Sequence, residues 1–286
     1  MMRDFTADHR WLSINTATVR RQHGRDWPLL EILDACARHG IRAMSPWRDQ
    51  VAQAGLAATA RALKAHGMEL SGYCRGGMFT SPNARDDNLR ALDEACELRA
   101  PCLVLVVGGL PGALAGRPEH KDIAGARHVV HEGIATLLEA ARERRLPLAI
   151  EPLHPMYAAD RACINTLEQA LDVCDALDPG RAGAIGVAVD LYHVWWDPKL
   201  QAQIERAGRE RLLALHVCDW LVPTTDLLED RGMMGDGVID IQRVRGWVEA
   251  AGFAGYSEVE IFSRRWWSMA GDDVLATCIE RHRRCV

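Results

Sequence analysis

The chain has 286 residues, of which 48% are hydrophobic and 26% are charged, and its formal net charge is −5. This composition is that of a globular protein, which excludes disordered and collagen-like chains, and the mildly acidic balance argues against a nucleic-acid partner. The nine cysteines contain no C-x-x-C pair, the N-terminal segment is polar, and no apolar run is long enough to span a membrane. These features predict a cytoplasmic protein with reduced thiols and no membrane partner.

Short β-like runs alternate with longer runs of helical periodicity along the whole chain. The predicted strands cover residues 11–15, 41–45, 69–74, 102–107, 146–151, 185–190, 212–217 and 258–262. The predicted helices cover residues 29–38, 51–66, 86–98, 122–144, 166–177, 200–208, 241–251 and 273–283. Strands that alternate with helices of this length pair in parallel through right-handed crossovers.

Two architectures fit such a chain, namely an open doubly wound sheet and a closed eightfold barrel. No G-x-G-x-x-G follows the first strand, and eight units favour closure. No linker or change of composition marks a second domain, so we predict an α/β fold in which residues 1–286 form one (β/α)8 TIM barrel. The longest irregular segments, 107–121, 153–165 and 220–240, all follow strands and should gather on the rim that carries the chemistry of barrel enzymes.

The last four predicted strands each end in a side chain that can bind a metal. Glu151 ends LAIEP, Asp190 ends GVAVD, His216 lies in LALHV, and the eighth strand EVEIF offers Glu258 and Glu260. Each one by itself could cap a loop or pair with a neighbour. In a parallel barrel all of these ends point into one mouth, where the carboxylates would repel each other unless a cation lay between them. The pattern therefore predicts a divalent metal site.

The chemistry of this donor set narrows both the metal and the reaction. Three carboxylates and one imidazole favour Mn²⁺ or Mg²⁺, although Co²⁺, Fe²⁺ and Zn²⁺ also fit. An octahedral ion with four protein ligands keeps two positions for the neighbouring oxygens of a hydroxy-ketone. Such chelation would polarise the carbonyl and acidify the adjacent C–H bond.

Several motifs together make the chain resemble a known family, the xylose isomerase-like TIM barrels of the sugar-phosphate isomerase/epimerase group, and in particular its inosose isomerases and ketose 3-epimerases. The motifs are SPWRD (45–49), YCRGG (73–77), IEPLHP (150–155), VDLYHVWWDP (189–198), LHVCDW (215–220), DRGMMGDGVID (230–240) and VEIF (259–262). The resemblance implies a small sugar or cyclitol as substrate, and it allows a homo-oligomer.

By motif position, the resemblance implies that Glu151, Asp190, His216 and Glu260 hold one divalent ion, which we expect to be Mn²⁺. The VEIF motif selects Glu260 and leaves Glu258 on the outward side. Glu151 and Glu260 are also implied as the acid/base pair, one on each side of the substrate. They would transfer a proton through a cis-enediolate in an isomerase or epimerase.

Four further residues are predicted to bind the substrate. His193 follows Asp190 at the D-x-x-H spacing of the family and would either contact a substrate oxygen or orient Asp190. Arg231 resembles the substrate-contacting arginine of the group, at a spacing closer to the inosose isomerase-like members. His154 lies in the loop after the fifth strand, with a structural role as its alternative, and Trp47 lies at a strand tip where an aromatic wall could exclude water.

Other functions remain open at this stage. The same site could serve a dehydratase acting on an inosose or on a 3-dehydroshikimate-like keto acid. Phosphodiester cleavage, as in endonuclease IV, fits less well because the early strands end in Asn15, Ser45 and Cys74 instead of further metal ligands. A metal-free binding module would leave the four strand-end ligands unexplained. The pair Arg264 and Arg265 is either an anion site or a solvated surface pair.

Overall fold

The computed structural model of the chain describes residues 2–286. Its strands are β1 (Leu12–Asn15), β2 (Arg21–Gln22), β3 (Arg25–Asp26), β4 (Ala43–Ser45), β5 (Glu69–Leu70), β6 (Tyr73–Gly77), β7 (Leu103–Val106), β8 (Leu148–Ile150), β9 (Ile185–Asp190), β10 (Leu212–Val217) and β11 (Ser257–Val259). Its helices are α1 (Leu29–Arg38), α2 (Arg48–Ala54), α3 (Leu56–His66), α4 (Ala84–Glu97), α5 (Ile123–Arg144), α6 (Leu167–Leu177), α7 (Leu191–Val194), α8 (Leu200–Arg211), α9 (Ile241–Ala250), α10 (Arg264–Trp267) and α11 (Gly271–Cys285). Among the described residues, no helix combines the length and hydrophobicity needed to cross a bilayer.

Nine of the strands form one parallel sheet in the order β5-β4-β1-β11-β10-β9-β8-β7-β6. The ring closes at its third position, where Ser71 and Gly72 interrupt one strand and separate β5 from β6. Strand β5 pairs with β4, and β6 pairs with β7. Cys74 then bridges to Trp47, just after β4, which joins the two ends of the sheet. The predicted TIM barrel is therefore confirmed.

Side chains of two sizes fill the two layers of the core. The interior of the barrel is packed with small residues, whereas the layer between the sheet and the helices holds large aliphatic ones. All six residues of β9 are buried, as expected for a parallel strand that is covered on both faces. The interior cluster consists of Cys74, Cys102, Val104, Ala149, Ala188 and Ala214.

The predicted elements differ from the observed ones in a few places. The predicted helix 51–66 is two helices, α2 and α3, because Gly55 between them has φ +87°, a conformation that favours glycine. Helices α7 and α10 and the antiparallel β2–β3 hairpin were not predicted. The eighth strand ends at Val259, before Glu260, although the backbone N–H of Glu260 still donates to the Val217 carbonyl at 3.2 Å.

Candidate active site

The structure brings four of the predicted residues together at the carboxyl ends of four neighbouring strands. Glu151 follows β8, Asp190 ends β9, His216 lies in β10, and Glu260 follows β11. One potential ligand atom from each of the four lies within 4.8 Å of the others. None of these residues is more than 5% exposed, because the strands that carry them lie between the helices and the closed barrel interior. Their arrangement follows from the parallel order β8-β9-β10-β11.

His216 directs one ring nitrogen at the cluster. Its Nδ1 lies 2.9 Å from Glu151 Oε1 and 3.8 Å from Glu260 Oε2. In the sheet, His216 pairs in register with Asp190 on one side and with Glu258 on the other. The imidazole is therefore surrounded by carboxylates from three neighbouring strands.

Arg231 also lies inside this cluster, and its contact with substrate stays a prediction. It comes from the long loop after β10, and its Nη1 donates to Asp190 Oδ2 at 2.9 Å and to Glu260 Oε2 at 3.1 Å. Its guanidinium carbon lies 4.4 Å from the ring centre of Tyr192 and 5.2 Å from that of Phe262. These aromatic rings hold the guanidinium in place. Arg231 is therefore a permanent positive charge beside two of the predicted metal ligands.

The surroundings drive the pKa values of Asp190 and Glu260 apart. Burial raises the pKa of the Asp190 carboxyl, but the charges of Arg231, His193 and His216 outweigh burial and lower that pKa to about 2. Burial raises the pKa of Glu260 well above its ordinary value, and the neighbouring Glu151 adds to this in spite of Arg231. Such a separation of neighbouring carboxyl groups is typical of sites that carry out acid/base chemistry.

Glu258 corrects one expectation. The resemblance left it on the outward side, but Glu258 is only 1% exposed and points into the barrel interior beneath the cluster. Its Oε1 accepts a hydrogen bond from Asn15 Nδ2 at 2.7 Å and lies 3.6 Å from His216 Nε2. Its Oε2 accepts from Ser71 Oγ at 2.7 Å. Two residues apart on one strand, Glu258 and Glu260 share a face of the sheet, so both point inward.

The charge balance tests whether a divalent cation fits this site. Four buried carboxyl groups, the three of the cluster and Glu258, face one permanent cation, Arg231, and one imidazole. Burial lowers the pKa of His216, but the charges of Glu258, Glu151 and Glu260 outweigh burial and raise it well above its ordinary value. The cluster therefore attracts additional positive charge, and its oxygen and nitrogen donors suit a divalent ion.

Two predicted substrate-binding histidines lie beside the cluster. His193 is 3% exposed, its Nε2 is 3.0 Å from Arg231 Nη2, and its Nδ1 is 3.2 Å from the backbone nitrogen of His154. Burial lowers the pKa of His193 to about 3, so its ring is neutral and one of its two nitrogens can accept from the N–H donor that it faces. The ring of His154 stacks on Trp220 at 5.2 Å and contacts the edge of Trp196. A contact of either histidine with substrate stays a prediction.

Trp47 lies on the opposite part of the rim, at the end of β4. It is half-buried, and its indole N–H donates to Asn15 Oδ1 at 2.8 Å. The edge of its ring meets Phe262, which also packs against Arg231. Trp47 is thus connected to the cluster from the first half of the barrel, and its contact with substrate stays a prediction.

Two residues that sequence reasoning did not select organise the site. Asn15 donates to both Glu258 and Glu260, at 2.7 Å and 2.9 Å, so β1 holds both carboxyl groups of β11. Asp219 accepts four backbone N–H bonds, from Trp220, Gly235, Gly237 and Ile239, and so folds the loop that carries Arg231. Asn15 ends β1, and Asp219 follows β10 by two residues. A polar residue at or just after the end of a strand is a signal that could have identified both.

The chain matches the family model described as xylose isomerase-like TIM barrel over residues 33–284. This chain belongs to that family. It is 24% identical over 147 residues to the inosose isomerase of Halalkalibacterium halodurans, an alignment that covers 50% of this chain and 49% of the relative. The match to this relative therefore spans about half the length of each protein.

Solved structures of similar proteins extend the comparison over nearly the whole barrel. Protein SMc04130 of Sinorhizobium meliloti 1021 is 56% identical, with a TM-score of 0.89 and coverage of 96% of this chain and 98% of that one. The IOLI protein with a binding zinc atom is 16% identical, with a TM-score of 0.75 over 93% of this chain and 94% of that one. The 3-keto-D-glucoside 4-epimerase YcjR of E. coli is 17% identical, with a TM-score of 0.70 over 93% of this chain and 97% of that one. These last two likenesses show the shared fold.

Proposed function

We propose that the protein is a divalent-metal-dependent isomerase or epimerase of a small sugar or cyclitol. The observation that supports this most is the convergence of Glu151, Asp190, His216 and Glu260, with one ligand atom each within 4.8 Å. These four residues would hold one divalent ion, which we expect to be Mn²⁺. When bound there, the ion supplies Lewis acidity that polarises a substrate carbonyl and acidifies the neighbouring C–H bond.

In this proposal the two glutamates move the proton. Glu151 and Glu260 follow β8 and β11, which are separated in the sheet by β9 and β10, so they approach a ligand from different directions. One carboxylate takes the proton from the substrate carbon, and the other carboxyl group returns a proton to the enediolate from the other side. Arg231, beside Glu260, places a positive charge where the enediolate oxygen gains negative charge.

The names of several similar proteins agree with this chemistry. The Halalkalibacterium relative is an inosose isomerase, and YcjR is an epimerase of a keto-glucoside. Both reactions move a hydrogen next to a carbonyl group of a sugar-like ring. The site described above offers groups that such a reaction would use, which are four potential metal ligands, two of them glutamates, and a buried arginine.

Hydrogen exchange with deuterium oxide tests the proposal. Purified protein loaded with Mn²⁺ should replace a carbon-bound hydrogen of a ketose or an inosose by deuterium, which proton NMR measures, and EDTA should abolish this exchange. Glu151→Gln and Glu260→Gln should each slow exchange by at least about 100-fold, because each removes one proton-transferring group. Glu280→Gln, which changes a surface glutamate paired with Arg284, is the matched control and should exchange like the wild type.

Two results would contradict the proposal. The first is a complete lack of exchange across a panel of ketoses and inososes, and the second is exchange that persists in both glutamine variants. A conjugated enone that accumulates in the ultraviolet spectrum would instead identify the dehydratase, which uses the same site to eliminate water.

A further inference from the structure

The guanidinium of Arg75 lies at the mouth of the barrel without an acidic partner. Arg75 belongs to β6, at the third position of the barrel, and is half-buried. Within residues 2–286 its guanidinium forms neither a hydrogen bond nor an ion pair, and its nitrogens remain accessible to solvent. A half-buried cation that has lost part of its hydration without gaining a counter-ion raises the free energy of the folded state. An anionic ligand that paired with it would offset this cost.

Arg161, from the loop after β8, adds a second positive charge nearby. Unlike Arg75, it forms an ion pair, in which Asp160 Oδ2 is 3.7 Å from the buried Nε, but in the described part of the chain its guanidinium has no hydrogen-bond partner. Its guanidinium carbon lies 5.5 Å from the ring centre of Tyr157, whose edge packs against His193. Burial and the neighbouring charge of Arg161 lower the pKa of Arg75. The two guanidinium groups repel each other, and an anion between them would relieve that repulsion.

Other arginines near the mouth are already paired. Arg48 donates to Glu94 at 2.7 Å and to Asp87 at 2.9 Å. Arg264 donates to Glu229 at 2.6 Å and is also paired with Asp226, so its charge is already balanced. Arg231 is bound to the acidic cluster itself. Unpaired arginines are therefore not a general property of this rim.

A short chain of contacts connects Arg75 to the acidic cluster. The guanidinium carbon of Arg75 lies 5.9 Å from the ring centre of Trp47. The indole N–H of Trp47 donates to Asn15, and Asn15 donates to Glu260 at 2.9 Å. One indole ring and one amide thus separate the unpaired guanidinium from a predicted metal ligand.

We propose that Arg75, assisted by Arg161, binds an oxyanion of the substrate, a carboxylate or a phosphate, so that the enzyme acts on an acidic or phosphorylated sugar instead of a neutral one. This inference rests on the proposed function for the position of the reacting carbon. The planar guanidinium matches two oxygens of a carboxylate or phosphate with two parallel hydrogen bonds. Trp47 then covers the carbon chain that joins this anion to the carbonyl end.

Three ketoses that differ only at carbon 6 test the inference, namely D-fructose, D-fructuronate and D-fructose 6-phosphate. Isothermal titration of the Mn²⁺-loaded protein should show that at least one charged ketose binds roughly tenfold to hundredfold more tightly than D-fructose. Whichever charged ketose binds more tightly identifies the oxyanion. Arg75→Met should abolish this preference, Arg161→Met should reduce it, and Arg75→Lys should retain part of it.

Arg264→Met is the matched control, because it removes a rim arginine that already has two carboxylate partners, and it should retain the full preference. Thermal unfolding of each variant checks that its fold is intact. Equal affinity for the three ketoses, lack of binding by both charged ones, or a preference that survives Arg75→Met would each overturn the inference.

Deuterium exchange on the same samples separates this inference from the proposed function. If only the inference fails, exchange will proceed, will be as fast with D-fructose as with the charged ketoses, and will be unaffected by Arg75→Met. If only the proposed function fails, the charged ketoses will bind through Arg75, but no ketose will exchange hydrogen.

Discussion

Glu258 lies directly beneath His216 and occupies the side of the imidazole that faces away from the cluster. Its Oε1 is 3.6 Å from His216 Nε2, which has no hydrogen-bond partner among the described residues. Histidines that bind a metal commonly donate their second N–H to a carboxylate, which fixes the ring and raises its basicity as a ligand. Asn15 and Ser71 hold the Glu258 carboxyl group in place for such a contact.

We therefore expect Glu258→Gln to weaken Mn²⁺ binding by about 10- to 100-fold, because the amide has no charge to orient His216. Titration calorimetry of the metal-free protein with Mn²⁺ measures this change. Ser257→Ala is the matched control, since Ser257 is equally buried and its Oγ has no partner within residues 2–286. Unchanged Mn²⁺ affinity in Glu258→Gln would show that Glu258 does not position His216.

The residues of the cluster could be predicted from sequence because the ends of parallel barrel strands lie at one face. A polar residue after an apolar run, as at Glu151 and Asp190, is therefore informative without any knowledge of its neighbours. The two-residue period of a strand places Glu258 on the same face as Glu260, whereas the family motif had left it outward. Its partners Asn15 and Ser71 could not be predicted, because strand periodicity does not encode contacts between strands that are distant in the chain.

At the scale of elements, Gly55 separates α2 from α3 after the second barrel position. Its φ is +87°, and a Cβ atom added there would meet nothing within 4 Å. The cost of any side chain at this position therefore comes from backbone conformation and not from crowding. The sequence 51–66 has good helical periodicity on both sides of this residue, which is why we predicted one continuous helix.

Gly55→Ala should lower the free energy of unfolding by about 1–3 kcal/mol, because alanine is strained at this positive φ. Urea denaturation monitored by circular dichroism measures the difference. Gly180→Ala is the control, since a Cβ at Gly180 also meets nothing within 4 Å but its φ is not positive. Equal stability of the two variants would mean that α2 and α3 adjust to the substitution, for example by joining into one helix.

The alternation of strands and helices in the sequence predicts that the barrel closes, but not the details of its third strand. Eight units of a strand followed by a helix predicted a closed barrel, because each apolar strand must be covered by a helix on its outer face. The break at Ser71 and Gly72 was not predicted. A Cβ added at Gly72 would make only ordinary contacts, at 3.6–3.7 Å, with Ser45, Val104 and Glu258, so crowding does not explain the break.

At the scale of the whole molecule, the first described residues pack against the last helix. The ring of Phe5 stacks on His282 of α11 at 4.6 Å, and the guanidinium of Arg245 lies 4.0 Å from the centre of the same ring. Arg245 also donates to the Val286 carbonyl at 2.7 Å. His282 is fully buried, and neither of its ring nitrogens has a partner among residues 2–286.

This packing predicts a pH-dependent stability. Burial, with the nearby charge of Arg245, lowers the pKa of His282 to about 3. Because the pKa of histidine in the unfolded chain is about 6.5, the unfolded state binds the proton first as the pH falls. The stabilisation associated with neutral His282 is therefore complete above about pH 6.5 and is lost as the pH falls towards 3.

Removal of His282 should remove this part of the pH dependence. The unfolding free energy of the wild type minus that of His282→Leu should fall by up to about 1.4 kcal/mol for each pH unit between pH 6 and pH 4.5. Urea denaturation at a series of pH values measures the difference. His128→Leu, which removes an exposed histidine of α5, is the control. A wild-type minus His282→Leu difference that stays constant over this range would contradict the prediction.

The predicted cation ligands come from four consecutive strands of the second half of the chain, whereas Trp47 and Arg75 come from the first half. A chimaera that took β1 to β7 from a homologue would replace Trp47 and Arg75 but keep Arg161 and the four predicted cation ligands. It would need asparagine at position 15, because Asn15 donates to Glu260. Recombination at the middle of the barrel is thus a direct route to new substrates on this scaffold.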